Sequence, residues 1–190
     1  MPPFDSLIGL LDSRSFGTIW YWLVVIGIWS LTGRSVIGVP AEIVSRARAA
    51  LAEGQSEAPV VLHLLDWLSL MLPRWRLGGQ EGAVFLGVTG FVLTSLAIMG
   101  LGYGLELALA TFLLLFPLAL LFWLRIALAR RLMPLLEAAE QGARPVSDAA
   151  AEAVRRMVVH RRWVTALSMA AVAVTAVLGA LWAAMHPYGF

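Results

Sequence analysis

Residues 82 to 124 read "GAVFLGVTGFVLTSLAIMGLGYGLELALATFLLLFPLALLFWL", and Glu106 is the one charged side chain among them. As a single straight helix this run would be roughly 65 Å long, about twice the thickness of a bilayer's hydrocarbon core. It has to fold back on itself. Gly100, Gly102 and Gly104 mark the place, because clustered glycines accept the backbone angles of a tight reversal. The stretch therefore reads as a helical hairpin, with one arm ending near Leu101 and the other starting near Leu105. Glu106 falls in the first turn of the second arm, where unpaired amides and the positive end of the helix dipole favour a carboxylate within reach of interfacial water. The alternative is a buried acid that couples to a proton or cation, and it requires a re-entrant turn.

Two further uncharged stretches, residues 15 to 33 and 163 to 185, are long enough to cross a membrane. A composition of 60% hydrophobic and 14% charged residues is too apolar for a water-soluble domain of this length. The expected fold is all-α, a polytopic membrane protein with four transmembrane helices plus cytoplasmic or interfacial amphipathic helices. It forms one membrane domain over 1–190, with spans near 15–33, 82–101, 105–124 and 163–185 and loops at 34–81 and 125–162.

The basic residues are all arginine, and their placement orients this arrangement. Arg34, Arg46, Arg48, Arg74 and Arg76 fall in the first loop; Arg125, Arg130, Arg131, Arg144, Arg155, Arg156, Arg161 and Arg162 fall in the third. Arg14 alone falls on the other face. Such an excess obeys the positive-inside rule, placing both loops in the cytoplasm and both termini in the periplasm of a bacterial inner membrane. The opening "MPPFDSLIGLLDSRSFG" lacks the basic start of a signal peptide. Its apolar spacing suits a short amphipathic turn at the membrane surface, or a fraying terminus.

Within the first loop, "AEIVSRARAALAEG" continues from Pro40 as a charged helix stopping at Gly54. The segment "PVVLHLLDWLSLMLPRWR" is too short to span. Val61, Leu64, Leu65, Leu68 and Leu72 recur at helical spacing, and Trp67 and Trp75 beside Arg74 and Arg76 suit the headgroup zone. The expectation is a helix lying in the cytoplasmic interface, or one filling a groove on a partner. In the third loop, "LRIALARRLMPLLEAAEQG" prolongs the third span, with a kink or break expected before Pro134 and a stop at Gly142. "PVSDAAAEAVRRMVVHRRW" restarts with Ser147 or Asp148 as N-cap and runs on into the fourth span. This helical hairpin, carrying Arg130, Arg131, Arg155, Arg156, Arg161 and Arg162, offers contacts to lipid headgroups or to a partner.

Absence of cysteine removes disulfides, thiolate metal sites and cysteine nucleophiles. His63 and Asp66 share a helical face, but no third ligand is placed beside them, and an ordinary hydrogen bond is the simpler expectation. His160 and His186 sit at opposite ends of the fourth span and cannot ligate one haem together. No phosphate-loop, dinucleotide, zinc-protease or serine-hydrolase motif occurs. Nucleic acid is not an expected partner, since no basic block with interleaved aromatics stands in a polar context. No cofactor is expected. Gly87 and Gly90 on the second span, and Ala166, Ala170, Ala180 and Ala184 on the fourth, provide small-residue faces for close helix packing.

The runs "DSRSFGTIWYWLVVIGIWS" and "VIGVPAEIVSRARA" resemble the start of a family of small bacterial, alphaproteobacterial-type, integral membrane proteins labelled "component of SufBCD complex". The likeness covers residues 5 to 50, with echoes in "GYGLELA" and "RIALARR". It implies a link to iron–sulfur cluster assembly, in which a chain without cysteine takes the part of a docking partner. The expected function is a non-catalytic accessory, assembly or anchoring subunit of a larger membrane complex, in contact with lipids and other membrane subunits. The alternative is a small ion-coupled transporter or channel component using Glu106.

Overall fold

A computed structural model describes residues 15–185; the amphipathic turn expected before Ser15 and His186 lie outside them. Among the described residues there are six α-helices, α1 (Ile19–Thr32), α2 (Ala41–Ala52), α3 (Pro59–Met71), α4 (Gly79–Ala97), α5 (Glu106–Glu140) and α6 (Val146–Met185). Two-residue strands β1 (Ser35–Val36) and β2 (Val39–Pro40) form a small hairpin between α1 and α2. The protein is all-α in class.

The hairpin expected in residues 82 to 124 is present. α4 widens into a π-helical turn over Ile98–Gly102, and the chain reverses through Gly104, whose φ is +71°. Gly100 is required there for a different reason. A Cβ on it would lie 2.7 Å from both the N and the Cα of Leu109, so only a bare backbone lets the turn press against α5. Three helical segments, Gly79–Gly102, Glu106–Glu140 and Val146–Met185, are long and apolar enough to cross a membrane. α1 is apolar too, but its 14 residues make it a shorter helix, about 21 Å at the helical rise.

α5 contains both Pro117 and Pro134 and yet continues to Glu140. The break expected before Pro134 does not occur, and the stop at Gly142, with φ +71°, does. α6 begins at Val146, right after Pro145, one or two residues ahead of the expected caps. Asp148 lies in its first turn, and its N–H donates to the Pro145 carbonyl at 3.1 Å. From there α6 runs unbroken for 40 residues.

The described residues gather into two compact units. The first takes in residues 15–30, 79–120 and 167–185, and has a small core of Phe16, Leu109 and Ala110, backed by Tyr21, Leu113 and Trp182. α4 buries none of its residues. Ile19, Trp20, Leu23, Phe91, Phe116, Val174 and Val177 are exposed.

The second unit takes in residues 31–78 and 121–166. Its core explains what the loop helices do. α2 contributes Val44 and Ala47, α3 contributes Val61, Leu64 and Leu68, α5 contributes Leu128, Ala129, Leu132 and Leu136, and α6 contributes Ala150, Ala153, Val154 and Met157. Each set repeats at three and four residues, one apolar stripe per helix, and the alternation of leucine with alanine lets the stripes interdigitate. The apolar face of α3 therefore packs inside its own chain, not on lipid or on a partner's groove. Full burial of each valine, leucine or methionine among them is worth roughly 1.5–3 kcal/mol.

The β1–β2 hairpin closes this core from one end. Its two-residue turn puts Ile37 at φ +52° and Gly38 at φ +84°, the combination of a primed turn. Gly38 needs its glycine, because a Cβ there would lie 3.1 Å from the Met71 sulfur. Ile37 has a β-branched side chain in left-handed backbone, which costs of order 1–3 kcal/mol, and holds there because its side chain is 1% exposed.

Candidate functional site

Glu106 opens α5, and its side chain is 7% exposed. It does not face open water. Its Oε1 accepts the backbone N–H of Ser15 and that of Phe16, each at 2.6 Å. Those amides belong to the turn that leads into α1, closed by the Thr18 N–H donating to the Ser15 carbonyl. Amides at the start of a helix have no carbonyl of their own helix to bond. The carboxylate of one helix thus caps the approach to another.

The surrounding side chains tie the same two helices. Phe16 meets Tyr21 edge to face at 5.5 Å, and the Trp22 indole N–H donates to the Phe16 carbonyl at 3.0 Å. The Tyr21 hydroxyl donates to the Ala110 carbonyl on α5 at 3.2 Å and is also bonded to buried Thr175 of α6. Phe16 lies so near Gly179 that a Cβ there would come within 3.1 Å of its ring. Acid, aromatic residues and glycine together hold α1, α5 and α6.

In the second unit the candidate arginines divide into two groups. Arg155 grips Glu152 with two bonds, Nε to Oε2 at 2.9 Å and a terminal nitrogen to Oε1 at 3.0 Å. Arg156 bonds the same carboxylate at 2.7 Å and also donates to the Arg131 carbonyl of α5 at 2.8 Å. Hydrogen bonds from Arg155, then Arg156, hold the Glu152 carboxyl well below the usual range, at about 2. Arg130, Arg131, Arg161 and Arg162 have exposed side chains and no acidic partner among the described residues. They remain available to phosphate or to acidic side chains. A link absent from the sequence reading is Arg76 to Glu137, at 2.6 Å, which joins the segment after α3 to α5.

Trp75 is half-buried: its ring lies 5.6 Å from that of Phe122, and the Arg125 guanidinium sits over it at 5.9 Å. Trp67 is 37% exposed. His63 and Asp66 are both exposed, with no hydrogen bond between them, and no metal-ligand cluster occurs among the described residues.

His160 is buried, and burial first, then the charge of Arg125, pushes its imidazole down to about 4. The unfolded chain, with an ordinary histidine near 6.5, therefore binds the extra proton first. The His160 contribution is full above about pH 6.5 and is lost as the pH falls towards 4, by up to about 3 kcal/mol. Loss of the Glu152 contribution follows at lower pH, between about 4.5 and 2. In gentle detergent, unfolding followed against pH should show the first loss in the parent chain and a flat response between pH 6.5 and 4.5 in His160→Phe. An unchanged profile in the variant would show that His160 is not the titrating group.

Gly87 and Gly90 have nothing within 4 Å of the place a Cβ would occupy, and Ala166, Ala170, Ala180 and Ala184 are exposed. None of these small-residue positions packs against another of the described residues. Comparisons with protein-family models, with curated proteins and with solved structures find no match to this chain.

Proposed function

We propose that this chain is a four-span protein of a bacterial inner membrane, with both termini in the periplasm, serving as a non-catalytic accessory, assembly or anchoring subunit of a larger membrane complex. The observation that carries the reading is α4, an apolar helix that, among the described residues, buries none of its own and leaves Gly87 and Gly90 open. Glycines let a second helix approach closely. The rival reading, an ion-coupled transporter, gains nothing from Glu106, whose Oε1 accepts two backbone amides of the turn before α1. The resemblance to proteins labelled as components of an iron–sulfur assembly complex names one class of partner to look for.

The arginine distribution does not decide whether α1 crosses, because a chain whose α1 stayed inside would keep every arginine on that side. Support comes from the neighbours of α1. Ser15 and Phe16 meet Glu106, Tyr21 meets Ala110, and the Thr32 carbonyl accepts from Arg125 at 3.4 Å. Within each unit, residues of α1 or of its leading turn thus meet α5.

Because the chain has no cysteine, single introduced cysteines report topology cleanly. Asp5→Cys and Tyr103→Cys should react with an impermeant maleimide from outside intact spheroplasts, and Glu57→Cys and Gln141→Cys only after permeabilisation. Protection of position 5 alone would reduce the arrangement to three spans. For the subunit role, Gly87→Leu with Gly90→Leu should leave abundance unchanged and remove co-purifying membrane proteins. If the double variant retains the same partners as the parent, α4 is not the docking face.

A further inference from the structure

Between the β1–β2 turn, the end of α3 and α5 lies a cleft of about 340 Å³, walled by Ile37, Met71, Trp75, Leu77, Phe122 and Ile126. Among the described residues Arg74, exposed and bonded to no carboxylate, is the one charged residue that lines it. Three observations say what belongs there. The walls are apolar and aromatic, and the volume falls in the range of small-molecule sites. Phe122 lies within the uncharged run and Ile126 just beyond Arg125, which ends it, so the cleft straddles the depth at which acyl chains give way to headgroups. Among the residues lining it is Ile37, the single non-glycine residue with positive φ among those described, and strained backbone of this kind gathers where ligands are clamped.

We infer that this cleft is a site for an anionic phospholipid of the inner leaflet, its phosphate on Arg74 and the upper part of an acyl chain against Trp75, Leu77 and Phe122. Guanidinium is the side chain best matched to a phosphate, and Arg125, already stacked on Trp75, adds positive charge beside the site. The inference rests on the membrane reading above for its choice of leaflet, though not for its choice of ligand.

The test uses the full chain in phosphatidylcholine vesicles that contain phosphatidylglycerol brominated on its acyl chains. Bromine quenches a tryptophan that it touches, and the Trp75 share is the difference between the parent and Trp75→Phe. Quenching of that share should saturate at low phosphatidylglycerol content, and brominated phosphatidylcholine at the same content should not reproduce it. Arg74→Gln should require about tenfold more phosphatidylglycerol, the value of one charge-assisted hydrogen bond. Arg144→Gln, which removes an equal charge from the α5–α6 turn, should change little. Equal quenching by both lipids, unaffected by Arg74→Gln, would mean that Trp75 only samples bulk lipid, and the site would fall. So would a photo-reactive group at position 77 that crosslinks to polypeptide instead of lipid in native membranes. Vesicles in which the chain sits both ways round answer the question irrespective of orientation, so a failed topology and a failed site give different results.

Discussion

Gly100→Val should abolish the fold of the first unit. A valine Cβ would start 2.7 Å from the Leu109 backbone, and backbone atoms of a helix cannot swing aside as a flexible side chain can. Either the turn opens or α5 shifts, and in both cases the Phe16, Leu109 and Ala110 core is lost. Overpacking of an ordinary core costs about 1–3 kcal/mol, and a clash with main chain on two atoms exceeds that range. The measurement is the yield of folded protein after detergent extraction, with Gly90→Ala as control, since nothing lies within 4 Å of a Cβ at position 90. Normal yield from Gly100→Val would show that the turn is looser than its contacts indicate.

Glu106→Ala should be far more damaging than Glu106→Gln. Alanine strands the Ser15 and Phe16 amides, which lie in residues only 6% and 7% exposed, and each buried donor without a partner costs about 1–3 kcal/mol. Glutamine keeps an acceptor oxygen in nearly the same place and gives up only the charge, about 1 kcal/mol. Thermal unfolding in detergent should therefore rank the parent first, Glu106→Gln close behind and Glu106→Ala well below. A coupling acid would behave otherwise in a flux measurement, because glutamine cannot exchange a proton. Loss of an ion-coupled flux in Glu106→Gln, at normal stability, would return the transporter reading to first place.

Much of this was legible in the order of residues. The reversal at Gly100 to Gly104, the stops at Gly54 and Gly142 and the unbroken α6 all follow from local backbone chemistry or from an uninterrupted helical period. The stripe on α3 was legible as well, but its destination was not. Val61, Leu64 and Leu68 mark an apolar face, and nothing in a stripe tells whether lipid, a partner or residues some seventy positions later in the same chain will cover it. Here the cover is Leu128, Leu132 and Met157, among others. The Glu106 site was half legible for the same reason. Its place in a first turn is local, while its bonds reach back 91 and 90 residues to Ser15 and Phe16, a pairing that only the packed helices create. No break follows at Pro134, because the penalty for proline inside a helix, about 3 kcal/mol, is outweighed once Leu132, Leu135 and Leu136 around it are buried.

That long reach of Glu106 has a consequence for how the protein is made. α1 leaves the ribosome first, yet the carboxylate that satisfies its leading amides is translated 91 residues later. At the usual pace of synthesis, about 5–20 residues per second, α1 waits roughly 5–20 seconds for its cap. On the membrane reading proposed above, the short helix must during that interval be held by something other than its final neighbours, whether the insertion machinery or water at the bilayer surface. The nascent chain is therefore most exposed to misinsertion and proteolysis between completion of α1 and emergence of α5, and any insertase that assists it has its work in that window.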